Sequence, residues 1–262
     1  MTLDSFFRGR TVLVTGASGG IGADIARQLG AAGARVLLVA RTEAALDAVA
    51  DEVRARGGEA RTLAADLGAA GAAEALVARL GERVDVLVAN AGIGIKARFA
   101  ETASDDIDTM AMLNMVSLTA LARLLLPEML AARHGGILTV ASTAAFVPAP
   151  TFAVYAATKA YVLSLTDALH TEVRGSGVHA TCLCPGPVPT GFGARAGMPP
   201  AFFASALTGS LPSATVARAG LTGLARNRRR VVPGVINRVQ AAATRFIPTG
   251  PAMRVAEVIL GR

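Results

Sequence analysis

Short apolar runs rich in β-branched residues recur along the 262-residue chain at positions 11–15, 36–39, 84–88, 137–140 and 178–184. Longer segments with helical spacing separate them. Runs this short and this continuously apolar suit strands covered on both faces, so the alternation predicts an α/β Rossmann fold, a doubly wound parallel sheet with helices on both sides. In the first crossover Ile21, Ile25 and Leu29 fall four residues apart and Gly33 follows as a stop, which reads as an amphipathic helix. The same spacing predicts helices over 43–56, 69–80, 104–131 and 151–174. After Pro185 the alternation fails, and apolar sequence punctuated by Pro and Gly continues to Pro212. A helix from about Ser213, a short strand at 231–232 and an amphipathic end complete the pattern. No linker, repeat or low-complexity tract interrupts it, so one domain over 1–262 is expected.

Composition narrows the class. With 52% hydrophobic and 17% charged residues, the chain has ample material for a buried core and no signature of disorder. The uncharged stretch 135–158 carries Ser142, Thr143, Pro148, Pro150 and Thr151, which mark strand, loop and helix start rather than a transmembrane segment. Asp4, Arg8 and Arg10 precede the first strand, so no apolar signal core is expected. The two cysteines, Cys182 and Cys184, are read as pointing to opposite faces of a strand. They offer neither a disulfide framework nor a metal-ligand set, and a reducing, cytoplasmic location follows.

The net charge of +7 and the cluster Arg226, Arg228, Arg229 and Arg230 favour anionic ligands, an acidic carrier protein or a membrane surface. No aromatic-interleaved basic stripe or DNA-binding motif accompanies them, so no nucleic-acid partner is expected.

The candidate chemistry begins between the first strand and the first helix, where Gly16, Ser18, Gly20, Ile21 and Gly22 form a glycine-rich turn. Glycines there permit a tight turn and close backbone approach, and the helix N-terminus offers unpaired N–H groups to a pyrophosphate. The second strand ends in Val39-Ala40-Arg41 with no acidic residue to hold a ribose 2′-hydroxyl. Arg41, helped by Ser18, suits a 2′-phosphate, so NADP(H) is favoured over NAD(H). Glu43 fits the first turn of the next helix.

Tyr155 and Lys159 lie four apart on one face of a predicted helix, in a chain with two tyrosines and two lysines. A neighbouring ammonium stabilises phenolate and is expected to lower the tyrosine pKa toward neutrality. Ser142 follows the strand near 137–140 at the carboxyl edge of the sheet, where its hydroxyl can polarise a carbonyl. Asn90-Ala91-Gly92 ends another strand in the same way.

From about Arg10 to Thr190 these motifs resemble, in order and spacing, the short-chain dehydrogenase/reductase family in its Tyr-xxx-Lys branch. The resemblance implies a tetrad of Asn114, Ser142, Tyr155 and Lys159. Tyr155 would be the acid/base, Ser142 would orient the carbonyl, Lys159 would hold the nicotinamide ribose and Asn114 would anchor a proton-relay water. It further implies that Asp66 and Leu67 contact adenine, that Asn90, Ala91 and Gly92 line the cofactor cleft, and that Pro185, Gly186, Val188 and Thr190 hold the nicotinamide end. Ala89 departs from the family, many of whose members have asparagine there. The runs 141–146 and Val232-Pro233-Gly234 are similar to 3-oxoacyl and steroid-type ketone reductases.

The expected activity is NADP(H)-dependent hydride transfer between nicotinamide and a ketone or secondary alcohol. The substrate would be a small-molecule carbonyl compound, free or as a carrier-bound acyl group. An NAD-linked alcohol dehydrogenase and a non-catalytic dinucleotide-binding scaffold are the alternatives. The resemblance also implies a homodimer or homotetramer built through the two long middle helices. Phe192, Met198, Phe202, Phe203 and Leu207, within the Gly- and Pro-containing segment 190–212, suggest a lid for an apolar substrate.

Overall fold

The computed structural model describes residues 2–204, 208–244, 250 and 253. A short helix α1 (Leu3–Phe7) leads into β1 (Thr11–Thr15), α2 (Gly20–Ala31), β2 (Arg35–Ala40), α3 (Glu43–Ala55) and β3 (Glu59–Ala64). Next come α4 (Ala72–Ala78), β4 (Val86–Ala89), α5 (Ser104–Ala111), α6 (Leu118–Ala132) and β5 (Gly135–Val140). The remainder is α7 (Ala153–Glu172), β6 (Val178–Leu183), α8 (Gly191–Arg195), α9 (Pro200–Ala204), α10 (Ser213–Ala225), β7 (Arg230–Val231) and α11 (Val235–Ala243).

The seven strands form one all-parallel sheet in the order β3-β2-β1-β4-β5-β6-β7. Strand order reverses between β1 and β4, and that switch point opens a crevice beyond the carboxyl ends of the strands. Alternation along each strand builds two apolar layers. Val12, Val14, Val36 and Leu38 face α2, α3 and α10, where Ile25, Leu29, Leu46, Val53, Leu221 and Leu224 are buried. Leu13, Leu37, Leu87 and Ile137 face α4, α6 and α7, where Leu76, Leu121, Leu125 and Val162 are buried.

Three expectations change. The strand at Glu59–Ala64 was not anticipated, because an edge strand has little to hide and only Leu63 is buried along it. The helix expected over 104–131 is divided by a π-helical turn, Met112–Ser117. Cys182 on β6 and Cys184 one residue past its end lie on the same face, as residues two apart in extended chain must, and their sulfurs stand 3.7 Å apart in the same apolar layer.

Ser104–Ala132 is long and apolar enough, by length and composition, to cross a membrane. Its α6 portion buries Leu118, Leu121, Leu125 and Met129 in the layer beneath the sheet and exposes Arg123 and Glu128. Within the arginine cluster, Arg230 Nε donates to both oxygens of the Asp167 carboxylate at 2.7 and 2.9 Å and Nη2 donates to one of them, tying β7 to α7. Arg226, Arg228 and Arg229 are exposed.

Candidate active site

A cavity of about 1360 Å³ occupies the crevice beyond the carboxyl ends of the strands. Of the catalytic and cofactor-binding residues expected from the sequence, all line it except Gly22 and Asn114, and both of these stand directly behind lining residues.

The turn from β1 into α2 is held by backbone contacts that tolerate no side chain. Gly16 and Gly20 have φ of +65° and +53°, in the left-handed region. A Cβ on Gly22 would lie 2.2 Å from the Gly16 carbonyl oxygen and 2.5 Å from Asn90 Nδ2. Asn90 Nδ2 donates to the carbonyls of Thr15 and Gly16 at 3.0 and 3.2 Å. The Thr15 hydroxyl in turn accepts from the backbone N–H groups of Asn90 and Ala91, each at 3.0 Å. Asn90 therefore stitches the end of β4 to the end of β1 and fixes the turn on which the helix begins.

At Gly19, the N-cap of α2, no side chain caps the helix, and a Cβ would meet no protein atom within 4 Å. Open space in front of uncapped amides at the positive end of a 12-residue helix fits a dinucleotide pyrophosphate.

Farther out, Arg41 and Ser18 are exposed at the cavity wall, and Glu43 opens α3 as expected. Asp66 Oδ1 accepts from the Gly68 amide at 3.0 Å, shaping the loop after β3. The Ser117 hydroxyl donates to the Leu67 carbonyl at 2.6 Å and holds that loop from below.

At the other end, Tyr155 and Lys159 lie on successive turns of α7, 7% and 4% exposed. Lys159 Nζ donates to the Val140 carbonyl at 2.9 Å and sits 5.7 Å from the Tyr155 ring centroid. Burial pushes the phenol up to about 12, opposed only by a hydrogen bond with Ser142, and pulls the ammonium down to about 8. This reverses the expected lowering of the tyrosine pKa. Desolvation of Tyr155 outweighs the benefit of a cation whose hydrogen bond goes to a strand-end carbonyl. Ser142 adopts an extended backbone at the end of β5 and caps the 3₁₀ turn Thr143–Phe146 by accepting from the Ala144 amide at 3.1 Å.

Asn114 lies on the π-helical turn and is fully buried. Its amide donates to the Ile93 carbonyl at 2.9 Å and the Thr158 hydroxyl at 3.0 Å, while its oxygen accepts from the Ile93 N–H at 3.0 Å. A Cβ on Gly92 would lie 3.1 Å from Asn114 Oδ1 and 3.2 Å from Lys159 Nζ. The wider π turn thus delivers Asn114 beneath Gly92, beside the lysine.

Sequence reasoning named Thr190, Phe192, Met198, Phe202 and Phe203 at this end but missed Gly94, Lys96, Thr151 and Phe152 and how they pack. Phe152 and Phe192 pack on the Tyr155 ring with centroids 4.4 and 5.5 Å away. Gly94 makes that cluster possible, since a Cβ there would stand 2.8–2.9 Å from all three rings. Thr151, whose φ of +61° is unusual for a β-branched residue, leads into Phe152. Its carbonyl accepts from the Ala97 amide at 2.9 Å, and the Lys96 amide donates to the Ala196 carbonyl at 2.9 Å. The segment after β4 is thereby laced between α7 and α8. Thr190 caps α8 by accepting from the Phe192 amide at 3.3 Å and packs against Gly20, joining the two ends of the cavity. Met198, Phe202 and Phe203 also line the cavity, as do Gln240, Ala241 and Thr244 at the end of α11. Leu207 lies outside the described residues.

The sequence profile of the short chain dehydrogenases matches residues 10–198. The chain is 31% identical over 184 residues to the very-long-chain 3-oxoacyl-CoA reductase of Phaeosphaeria nodorum; the match covers 67% of this chain and spans about half, 54%, of that protein. Among solved structures, a short-chain dehydrogenase from Sphingobium yanoikuyae in complex with NADPH superposes with a TM-score of 0.81 at 29% identity, covering 94% of each chain. A short-chain dehydrogenase/reductase from Burkholderia phymatum in complex with NAD also gives a TM-score of 0.81, at 26% identity, covering 91% of this chain and 92% of that one.

Proposed function

Because the chain belongs to the short-chain dehydrogenase/reductase family of oxidoreductases, we propose that it is an NADP(H)-dependent reductase of apolar ketones with Tyr155 as its proton donor. The observation that carries this reading is a buried phenol hydrogen-bonded to Ser142, one helical turn from Lys159, at the wall of a cavity whose other end is a glycine turn.

The bound nicotinamide supplies the hydride, for which no side chain is a source. The uncapped amides at the start of α2 hold the pyrophosphate, and Arg41 with Ser18 takes the 2′-phosphate. Asp66 and Leu67 border the adenine, Asn90, Ala91 and Gly92 the middle of the cofactor, and Pro185, Gly186, Val188 and Thr190 its nicotinamide end. Lys159 holds the ribose and Asn114 anchors the relay water. Because the Asn114 side chain is committed to Ile93 and Thr158, the backbone of the π turn is the part of that residue left to hold water.

Ser142 orients the substrate oxygen. Tyr155, held protonated by burial, is suited to donate a proton to the oxygen as it gains charge, which favours the reducing direction. The nicotinamide cavity and its surroundings form one catalytic domain over 1–262, in which Phe192, Met198, Phe202 and Phe203 act as an apolar lid. The exposed Val116, Leu124, Leu130 and Tyr161 on the outer side of the two middle helices suit assembly into a dimer or tetramer, and the two free thiols suit a cytoplasmic setting.

Initial rates of NADPH and NADH oxidation at equal concentration, across acyl thioesters, steroids, aromatic ketones and sugars, test the reading. Faster oxidation of NADPH with bulky apolar carbonyls is the expected result. Tight NADPH binding with no turnover on any member of the panel would instead favour a dinucleotide-binding scaffold.

A further inference from the structure

The charged residues that line the cavity are unevenly distributed. Among the described residues they are Arg41 and Asp66 at the β2–β3 end, Lys159 beside Tyr155, Lys96 on the loop after β4 and Arg195 at the end of α8, in the segment that follows β6. Strand order places those last two segments on the opposite side of the switch point from Arg41. The Lys96–Ala196 backbone hydrogen bond brings the two cations onto adjoining segments. The Arg195 guanidinium lies over Gly191, where a Cβ would stand 2.9 Å from its Nη1.

Neither side chain takes a hydrogen bond or an ion pair among the described residues. Elsewhere on the described surface Arg27, Arg35, Arg54, Arg61, Arg83 and Arg230 each engage a carboxylate, whereas no carboxylate among the described residues stands against Lys96 or Arg195. Asp66, the one carboxylate lining the cavity among the described residues, is at the far end. Two unengaged cations thus adjoin the apolar surface of Phe192 and Met198, in a cavity already furnished with a proton donor.

We infer that Lys96 and Arg195 form an anion subsite, so that the preferred ligand of the substrate end is an apolar carbonyl compound bearing a carboxylate or phosphate away from its reacting carbon. The inference rests on the reductase reading for where the carbonyl lies, and the subsite itself is read by binding alone. An apolar chain seated against Phe192 and Met198 directs its charged terminus to the two cations. There a charge-assisted hydrogen bond to half-buried Lys96 and exposed Arg195 favours the anion over a neutral isostere by roughly tenfold. Lys96 is one of two lysines in the chain and stands outside the machinery that holds Tyr155.

Calorimetric titration of the NADPH-saturated protein with octanoate, octyl phosphate and octanamide tests this, with NADPH filling the site of Arg41 so that it cannot capture the probe. The wild type should bind at least one anion about tenfold tighter than the amide, with the stronger anion revealing whether an acid or a phosphorylated carrier is the source. In Lys96→Gln/Arg195→Gln the anion should fall to within about twofold of octanamide, while octanamide affinity and melting temperature hold. Equal affinities for all three probes in the wild type, or an anion preference that survives in the double variant, would overturn the subsite. Failure of the reductase reading has a separate signature: no ketone would drive NADPH oxidation, whatever the calorimetry returns.

Discussion

The two ends of the cavity are held by different kinds of contact. At the β1–β2 end the architecture is backbone against backbone: Gly22 on the Gly16 carbonyl, Asn90 on the carbonyls of Thr15 and Gly16, and bare helix amides facing open space. At the β4–β6 end it is side chain against side chain, with Phe152 and Phe192 on Tyr155, Lys159 on a strand-end carbonyl and short helices overhead. The first kind permits almost no variation, because the Gly16 carbonyl, just past the end of β1 and held by Asn90, has little room to move aside. The second permits exchange of one apolar group for another, so chemistry at this end can be kept while the ligand changes.

The sharpest way to break the comparison is Gly22→Val. Its Cβ would fall 2.2 Å from a main-chain oxygen, so overpacking of about 1–3 kcal/mol or more is expected. NADPH affinity should drop by at least roughly 100-fold, in step with a lower melting temperature, in a fluorescence titration paired with a thermal scan. Wild-type affinity in this variant would mean that the turn is not the cofactor cradle.

Arg41→Ala asks less of the same end. A charge-assisted hydrogen bond to the 2′-phosphate is worth about 1.5–3 kcal/mol, so NADPH should weaken roughly 10- to 100-fold while NADH holds. Added salt should erode the wild-type preference, because Arg41 is exposed. An unchanged ratio of the two dissociation constants would reduce Arg41 to a surface arginine.

At the other end, pH distinguishes the two buried titratable groups. The ammonium of Lys159 is present below about pH 8 and lost as pH rises through that value, whereas the phenol at about 12 stays protonated. kcat/KM for ketone reduction should therefore fall up to about tenfold per pH unit above 8. Lys159→Arg, which keeps its charge, should lose this limb along with most of its activity. A profile flat to pH 10 in the wild type would show that the charge on Lys159 does not matter.

The smallest effect is expected from Phe192→Ala. Removing a ring that rests on Tyr155 should raise KM for bulky apolar ketones several-fold with little change for small ones, since roughly 2 kcal/mol of apolar contact is shared among neighbours. Steady-state kinetics on two ketones of different size would show a uniform loss instead if Phe192 serves only to hold Tyr155 in place.

Legibility followed the same division. The glycine turn, Tyr155 and Lys159 were readable because each requires a residue type at fixed local spacing, and the parallel sheet was readable from its apolar runs. Strand β3 escaped because an edge strand with one buried side chain leaves no apolar run. The π turn under Asn114 escaped because its sequence, Met-Leu-Asn-Met-Val-Ser, continues a helical pattern. Gly94, Phe152, Lys96 and Arg195 converge from segments far apart in the chain, and no local pattern encodes that meeting. The lowered tyrosine pKa was a misjudgement of magnitude, since four-residue spacing brings the cation near but does not reveal how completely the phenol is buried.

The central claim is that Tyr155 gives up the proton while the opposite end holds the cofactor independently of it. Measuring NADPH affinity and NADPH oxidation side by side in Tyr155→Phe addresses it directly, because only the transferable proton is removed and the ring packing on Phe152 and Phe192 remains. The account predicts an NADPH dissociation constant within about twofold of wild type and a turnover lowered by roughly 10²–10⁴. A variant that binds NADPH normally and keeps more than about a tenth of wild-type turnover would contradict it.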